Sequence, residues 1–146
     1  MLKGIPKIIS PELIKVLMEM GHGDRIVISD GNFPAERVGK SNIVVRADGH
    51  GVPEILDAIL YLMPLDTYVD SPVSLMQIVP GDNVETPIWN TYKEIVGKYD
   101  MRGEKVFSEI ERFKFYEEAK NAYAIVATGE TAIYANIMLQ KGVVIQ

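Results

Sequence analysis

Apolar positions recur along the chain in blocks whose period alternates between that of a helix and that of a strand. Leu13, Ile14, Leu17 and Met20 fall on one helical face. Ser10 suits the N-cap of that helix, Pro11 its first turn and Gly21 its end. The β-branched run Arg25–Ser29 reads as a buried strand, and residues 30–34, Asp-Gly-Asn-Phe-Pro, as the turn that breaks it. Residues 42–46 read as a second strand. After the loop 49–51, the stripe Val52, Ile55, Leu56, Ile59, Leu60 and Met63 predicts a helix. Residues 74–79 read as a third strand. Thr86 and Pro87 open a helix that carries Ile88, Tyr92, Ile95 and Tyr99 on one face. Residues 107–110 fit a strand end, or a capping box built from Ser108 and Glu111; from Phe113 to Ala122 the pattern is helical. Residues 123–128 predict a strand, Gly129 and Glu130 a turn, and residues 136–140 a last strand. Strands and helices alternate throughout, which argues for a layered α/β domain.

Composition narrows the function classes. A chain of 146 residues suits one domain and is long enough to bury a core without staples. No apolar run reaches the ~20 residues of a membrane span, and the opening residues lack a long apolar segment, so no signal peptide or membrane anchor is expected. The absence of cysteine excludes disulfides and thiolate metal sites and fits a reducing cytoplasm. A net charge of −5 argues against nucleic-acid binding, which needs clustered Lys and Arg. The alternating charges of residues 109–120 read as a solvated helix face. Neither a phosphate loop nor a dinucleotide fingerprint nor a G-x-S-x-G elbow occurs, which lowers the case for kinases, dehydrogenases and serine hydrolases.

Candidate chemistry sits in two turns. The first is Gly21-His22-Gly23-Asp24 and the second begins at Ser29-Asp30. They flank one predicted strand, whose five or so residues span ~17 Å. His22 and Asp30 of one copy are therefore expected to be too far apart to touch. A histidine between two glycines is equally an ordinary exposed turn, and an aspartate before Gly31 an ordinary turn former. Asp48 and His50 are able to ligate a metal, but a metal site needs three or four ligands, so none is expected. Trp89 reads as a core or interface residue, with stacking on a sugar as the alternative.

Six motifs in order carry a resemblance. They are G-H-G-D at 21–24, S-D-x-x-F-P at 29–34, R-A-D-G at 46–49, R-F-x-F-Y-E at 112–117, T-G-E at 128–130 and Y-A-N at 134–136. With I-S-P-E-L-x-K-V-L at 9–17 they resemble the L-fucose mutarotase family, whose sister branch is D-ribose pyranase. The likeness runs from Leu2 to about Val143. It implies one three-layer α/β domain over residues 1–146, with a mixed sheet flanked by helices. It also implies a decameric ring whose sites lie between neighbouring subunits, which would answer the distance objection. The family's proton donor falls on His22 and its sugar-contacting aspartate on Asp30. Later substrate contacts fall on Arg112, Tyr134, Ala135 and Asn136. The resemblance implies an isomerase acting on a small monosaccharide, with no cofactor and no metal.

Y-A-N is the form associated with the ribose branch, whereas R-A-D-G and R-F-x-F-Y-E resemble the fucose branch; the two longer motifs carry more weight. Mutarotation passes through the open-chain aldehyde. The ring oxygen gains a proton while the anomeric hydroxyl loses one, so one acid and one base or relay suffice. An imidazole of ordinary pKa ~6.5 exchanges protons near neutral pH, whereas a free Asp near ~3.9 is a weak base, which favours an orienting role for Asp30. The alternatives are a ribose pyranase or related mutarotase, and a non-catalytic sugar-binding protein that serves uptake.

Overall fold

The computed structural model describes all 146 residues. Helix α1 spans Pro11–Glu19, with the Ser10 hydroxyl accepting from the Leu13 N–H at 3.1 Å, as the capping pattern predicts. It stops before Gly21, because Met20 already has extended backbone; no left-handed cap is used. Strand β1, Arg25–Ser29, has Ile26, Val27 and Ile28 fully buried. The remaining elements are α2 (Ala35–Val38), β2 (Ile43–Ala47), α3 (Val52–Leu62), β3 (Val73–Met76), α4 (Pro87–Tyr99), a 3-10 turn (Gly103–Val106), β4 (Phe107–Ile110), α5 (Arg112–Lys120), β5 (Ala124–Thr128) and β6 (Ile137–Gln140).

The structure decides one local alternative, shortens one strand and adds one short helix. Residues 107–110 are strand β4, paired parallel with β3, so Ser108 caps nothing; its hydroxyl faces Ser74 instead. Glu111 alone caps α5, accepting from the Phe113 and Lys114 N–H groups. The third strand ends at Met76, three residues early, because residues 79–82 turn away. Helix α2 is one short turn with two buried residues, too brief for a periodic signal.

The six strands lie in the order β2-β5-β1-β6-β3-β4. Strand β6 runs antiparallel to β1 and β3, and every other pairing is parallel. Strands β1 to β5 therefore all end at one rim of the sheet, where β6 begins. Alternate strand residues face opposite layers. Ile26, Ile28, Val126, Ile137 and Leu139 pack against α1, α3 and α4. Val27, Ile125 and Met138 pack against α2 and α5. The fold is thus a three-layer α/β domain with a mixed central sheet. No helix is long and apolar enough to cross a membrane.

Candidate active site

The rim where the parallel strands end gathers five of the six expected residues, four of which line one cleft. Asp30 follows β1 and is buried, 6% exposed. Its backbone N–H donates to Asn136 Oδ1 at 2.8 Å, and its Oδ1 accepts from the Asn32 N–H at 3.0 Å. Burial pushes the Asp30 carboxyl above its ordinary value; backbone N–H groups of Asn32, Ala135 and Phe33 pull it down, and the Glu130 charge adds to the rise. Asn136 spends its oxygen on Asp30, which leaves its amide donors free for a ligand.

Tyr134 has φ 53°, a left-handed backbone that a tyrosine adopts only under constraint. Helix α4 supplies the constraint. The Trp89 indole N–H donates to the Tyr134 carbonyl at 2.8 Å, and the Tyr92 hydroxyl to the Ala135 carbonyl at 2.6 Å. Trp89 is therefore a clamp under the loop and does not line the cleft; the stacking alternative is not what the structure supports. Ala135 is fully buried and offers only its backbone. Gly129, before this loop, has the Asp48 carbonyl 2.0 Å from where a Cβ would stand, so only glycine fits.

Arg112 opens α5. Its guanidinium lies 5.4 Å from the Phe113 ring centre and 5.6 Å from that of Tyr116, with Nε donating to the Tyr116 hydroxyl at 3.3 Å. Asp30, Asp82, Arg112, Tyr116, Tyr134 and Asn136 line a cleft of about 410 Å³. That volume is within the ~300–1,000 Å³ of small-molecule sites.

His22 is elsewhere. It precedes β1, at the opposite rim, and does not line the cleft. Its Nε2 is 3.1 Å from Asp66 Oδ1, and its ring centre is 5.1 Å from that of Tyr68. Asp66 is buried and also accepts from the Tyr68 N–H at 2.9 Å and the Gln140 amide at 3.0 Å. Burial opposes its charged form, but the Tyr68, His22 and Gln140 donors together outweigh it and hold the carboxyl below its ordinary value. The His22 side chain is 44% exposed, so Nδ1 remains open to another molecule.

The model of the RbsD / FucU transport protein family matches residues 3–144. This chain belongs to that family. Among RbsD / FucU relatives, fucose mutarotase of Mus musculus is 50% identical over 145 residues, covering 97% of this chain and 94% of the relative. The structure of FucU from Bifidobacterium longum is 64% identical with a TM-score of 0.97, covering 98% of this chain and all of that one (100%). The fucose mutarotase of Streptococcus pneumoniae, solved in complex with L-fucose, is 53% identical with a TM-score of 0.91, covering 99% and 100%.

Within this RbsD / FucU fold the remaining candidates do other work. The Asp48 carboxylate is forked by Arg46, with Nε at 3.1 Å, and His50 Nδ1 faces Glu54 Oε1 at 3.1 Å. No three metal-capable side chains converge. Three residues escaped the sequence reading. Asp66 sits in the unassigned stretch between α3 and β3 and carries no local signal. Tyr116 lies inside a motif that drew attention to Arg112. For Asp82 a signal existed that the strand reading of residues 74–79 passed over: Val79-Pro80-Gly81-Asp82 has the Pro-Gly signature of a type II turn.

Proposed function

We propose that this protein is a fucose mutarotase, an isomerase that interconverts the α and β anomers of L-fucose. The observation that carries the reading is the cleft in which a buried carboxyl, a guanidinium, a tyrosine hydroxyl and an amide converge on a space of monosaccharide size. Membership of a family whose similar members are named fucose mutarotases supports the choice of sugar. Arg112 and the Asn136 amide donate to sugar hydroxyls, and Asp30 accepts from them. Ring opening needs a proton on the ring oxygen, and the cleft holds no histidine of its own. His22 of a neighbouring copy supplies it. Asp66 fixes Nε2 and turns Nδ1 outward, as a carboxylate orients a catalytic imidazole. The assembly is a closed ring of copies, a decamer by resemblance, in which one copy's His22 rim meets the next copy's cleft. A cytoplasmic location belongs to the same reading and is supported by the cysteine-free sequence.

Magnetisation-exchange NMR on L-fucose tests this. Protein should accelerate anomer exchange far beyond buffer, and His22→Ala should return it to the buffer rate with the fold intact. Faster exchange on D-ribose than on L-fucose would move the protein to the pyranase branch. Tight sugar binding without exchange would make it an accessory binding protein. A second reading has one specific support: the Asp30 carboxyl lines the cleft, and burial pushes it above its ordinary value, which favours its neutral, proton-bearing form. Wild-type exchange in His22→Ala with loss in Asp30→Asn would favour it.

A further inference from the structure

The anomeric hydroxyl must lose a proton as the ring oxygen gains one, and the cleft has a built exit for it. The turn Val79–Asp82, with Gly81 at φ 95° and the Asp82 N–H donating to the Val79 carbonyl at 3.0 Å, presents two groups to the same phenol. The Val79 N–H donates to Tyr134 Oη at 3.2 Å, and Tyr134 Oη donates its own proton to the Asp82 carboxylate. The hydroxyl has one proton and two acceptor sites. Its proton is committed to Asp82 and one acceptor site to Val79. Tyr134 lines the cleft, so its remaining acceptor site is left for a donor bound there. A sugar hydroxyl is such a donor.

We infer that Asp82 is the terminal acceptor of a two-step relay, in which Tyr134 takes the anomeric proton of the sugar as it passes its own to Asp82. The inference rests on the mutarotase reading above. In the step, the anomeric O–H bond breaks and a new Tyr134 O–H forms; the old Tyr134 O–H breaks and the proton bonds to Asp82. The electron pair left on the anomeric oxygen forms the aldehyde C=O, the C–O ring bond breaks, and the ring oxygen takes a proton from the acid. Closure on the other face of the aldehyde reverses every transfer, so nothing is oxidised or reduced. Asp82 is exposed at the cleft mouth. The left-handed backbone at Tyr134 is the conformation that brings the hydroxyl to this turn.

The experiment is anomer exchange of L-fucose by NMR for wild type, Asp82→Asn, Asp82→Ala and Tyr134→Phe, with L-fucose affinity measured by calorimetry. Asparagine keeps an acceptor for the Tyr134 proton but takes no proton itself. Asp82→Asn should lower kcat roughly 100-fold with KM within about twofold. Added formate should restore part of the exchange in Asp82→Ala and leave wild type unchanged. The double variant Asp82→Asn/Tyr134→Phe should be no slower than the slower single variant, because both break one relay. A wild-type kcat in Asp82→Asn, or a loss confined to KM and affinity, would overturn the relay and leave the mutarotase reading standing. Absence of exchange in wild type itself would overturn that reading and the relay with it.

Discussion

At one rim of the sheet Asp30 is 6% exposed and its carboxyl is pushed up; at the other rim Asp66 is 2% exposed and its carboxyl is held down. Burial acts in the same direction on both. The partners differ. Asp66 collects the Tyr68 N–H, the Gln140 amide and the His22 ring, donors that share no negative charge. Asp30 collects backbone N–H groups but lies within the field of Glu130, and it lines the cleft. The comparison teaches that a small exposed surface alone does not set a carboxyl's character; Asp30 is packed much deeper than Asp66, and depth and the surrounding donors act together. Asp66 is satisfied and structural, a holder for His22. Asp30 takes its donors from the backbone and lines the cleft, where sugar hydroxyls can add to them.

The largest expected break in this contrast is Asp30→Asn. Anomer exchange should fall by roughly 10²–10⁴-fold. Urea unfolding at neutral pH should show stability unchanged or raised, because the amide removes a charge that burial disfavours. A marked loss of stability would mean that Asp30 holds the fold as Asp66 does. Asp66→Asn should do the reverse. Stability should drop by about 1–3 kcal/mol as donors lose a charged acceptor, and exchange should fall less than in His22→Ala, since the imidazole survives but turns freely. An unaltered midpoint and exchange rate would remove Asp66 from the account of His22.

A pH series sharpens the same contrast. Asp66 has a folded pKa below its unfolded one, so its stabilisation is present above the ordinary carboxylate value of ~3.9 and is lost as pH falls through the folded value. Asp30 has a folded pKa above its unfolded one, so it costs nothing below ~3.9 and destabilises progressively as pH rises through the folded value. Unfolding measured from about pH 3 to pH 8 should show Asp66→Asn converging on wild type in acid, and Asp30→Asn pulling ahead as pH rises. The same slope in both variants would cancel the distinction. The smallest expected effect is at Trp89→Phe. Losing the indole N–H to the Tyr134 carbonyl should cost about 1 kcal/mol and weaken L-fucose binding by a few-fold, read by calorimetry.

The element pattern was legible because periodicity follows burial. Ile26, Val27 and Ile28 form an unbroken apolar run because β1 lies mid-sheet and is covered on both faces. What stayed illegible was short or bonded at long range. Helix α2 has one turn. Asp66 meets His22 across 44 positions, and Tyr134 meets Asp82 across 52. No window along the chain contains such pairs.

By itself the sequence determined the alternation of elements, the motif set that marks the family, and the separation of His22 from Asp30, since a strand of five residues has a set length. Only the tertiary structure decided which side chains share a cleft. Strand β6 enters antiparallel between β1 and β3, and this carries Tyr134 and Asn136 to the rim where Asp30 and Arg112 emerge. A strand's direction in a sheet is set by its neighbours and by the layers packed on both faces, and that information is spread over the whole chain.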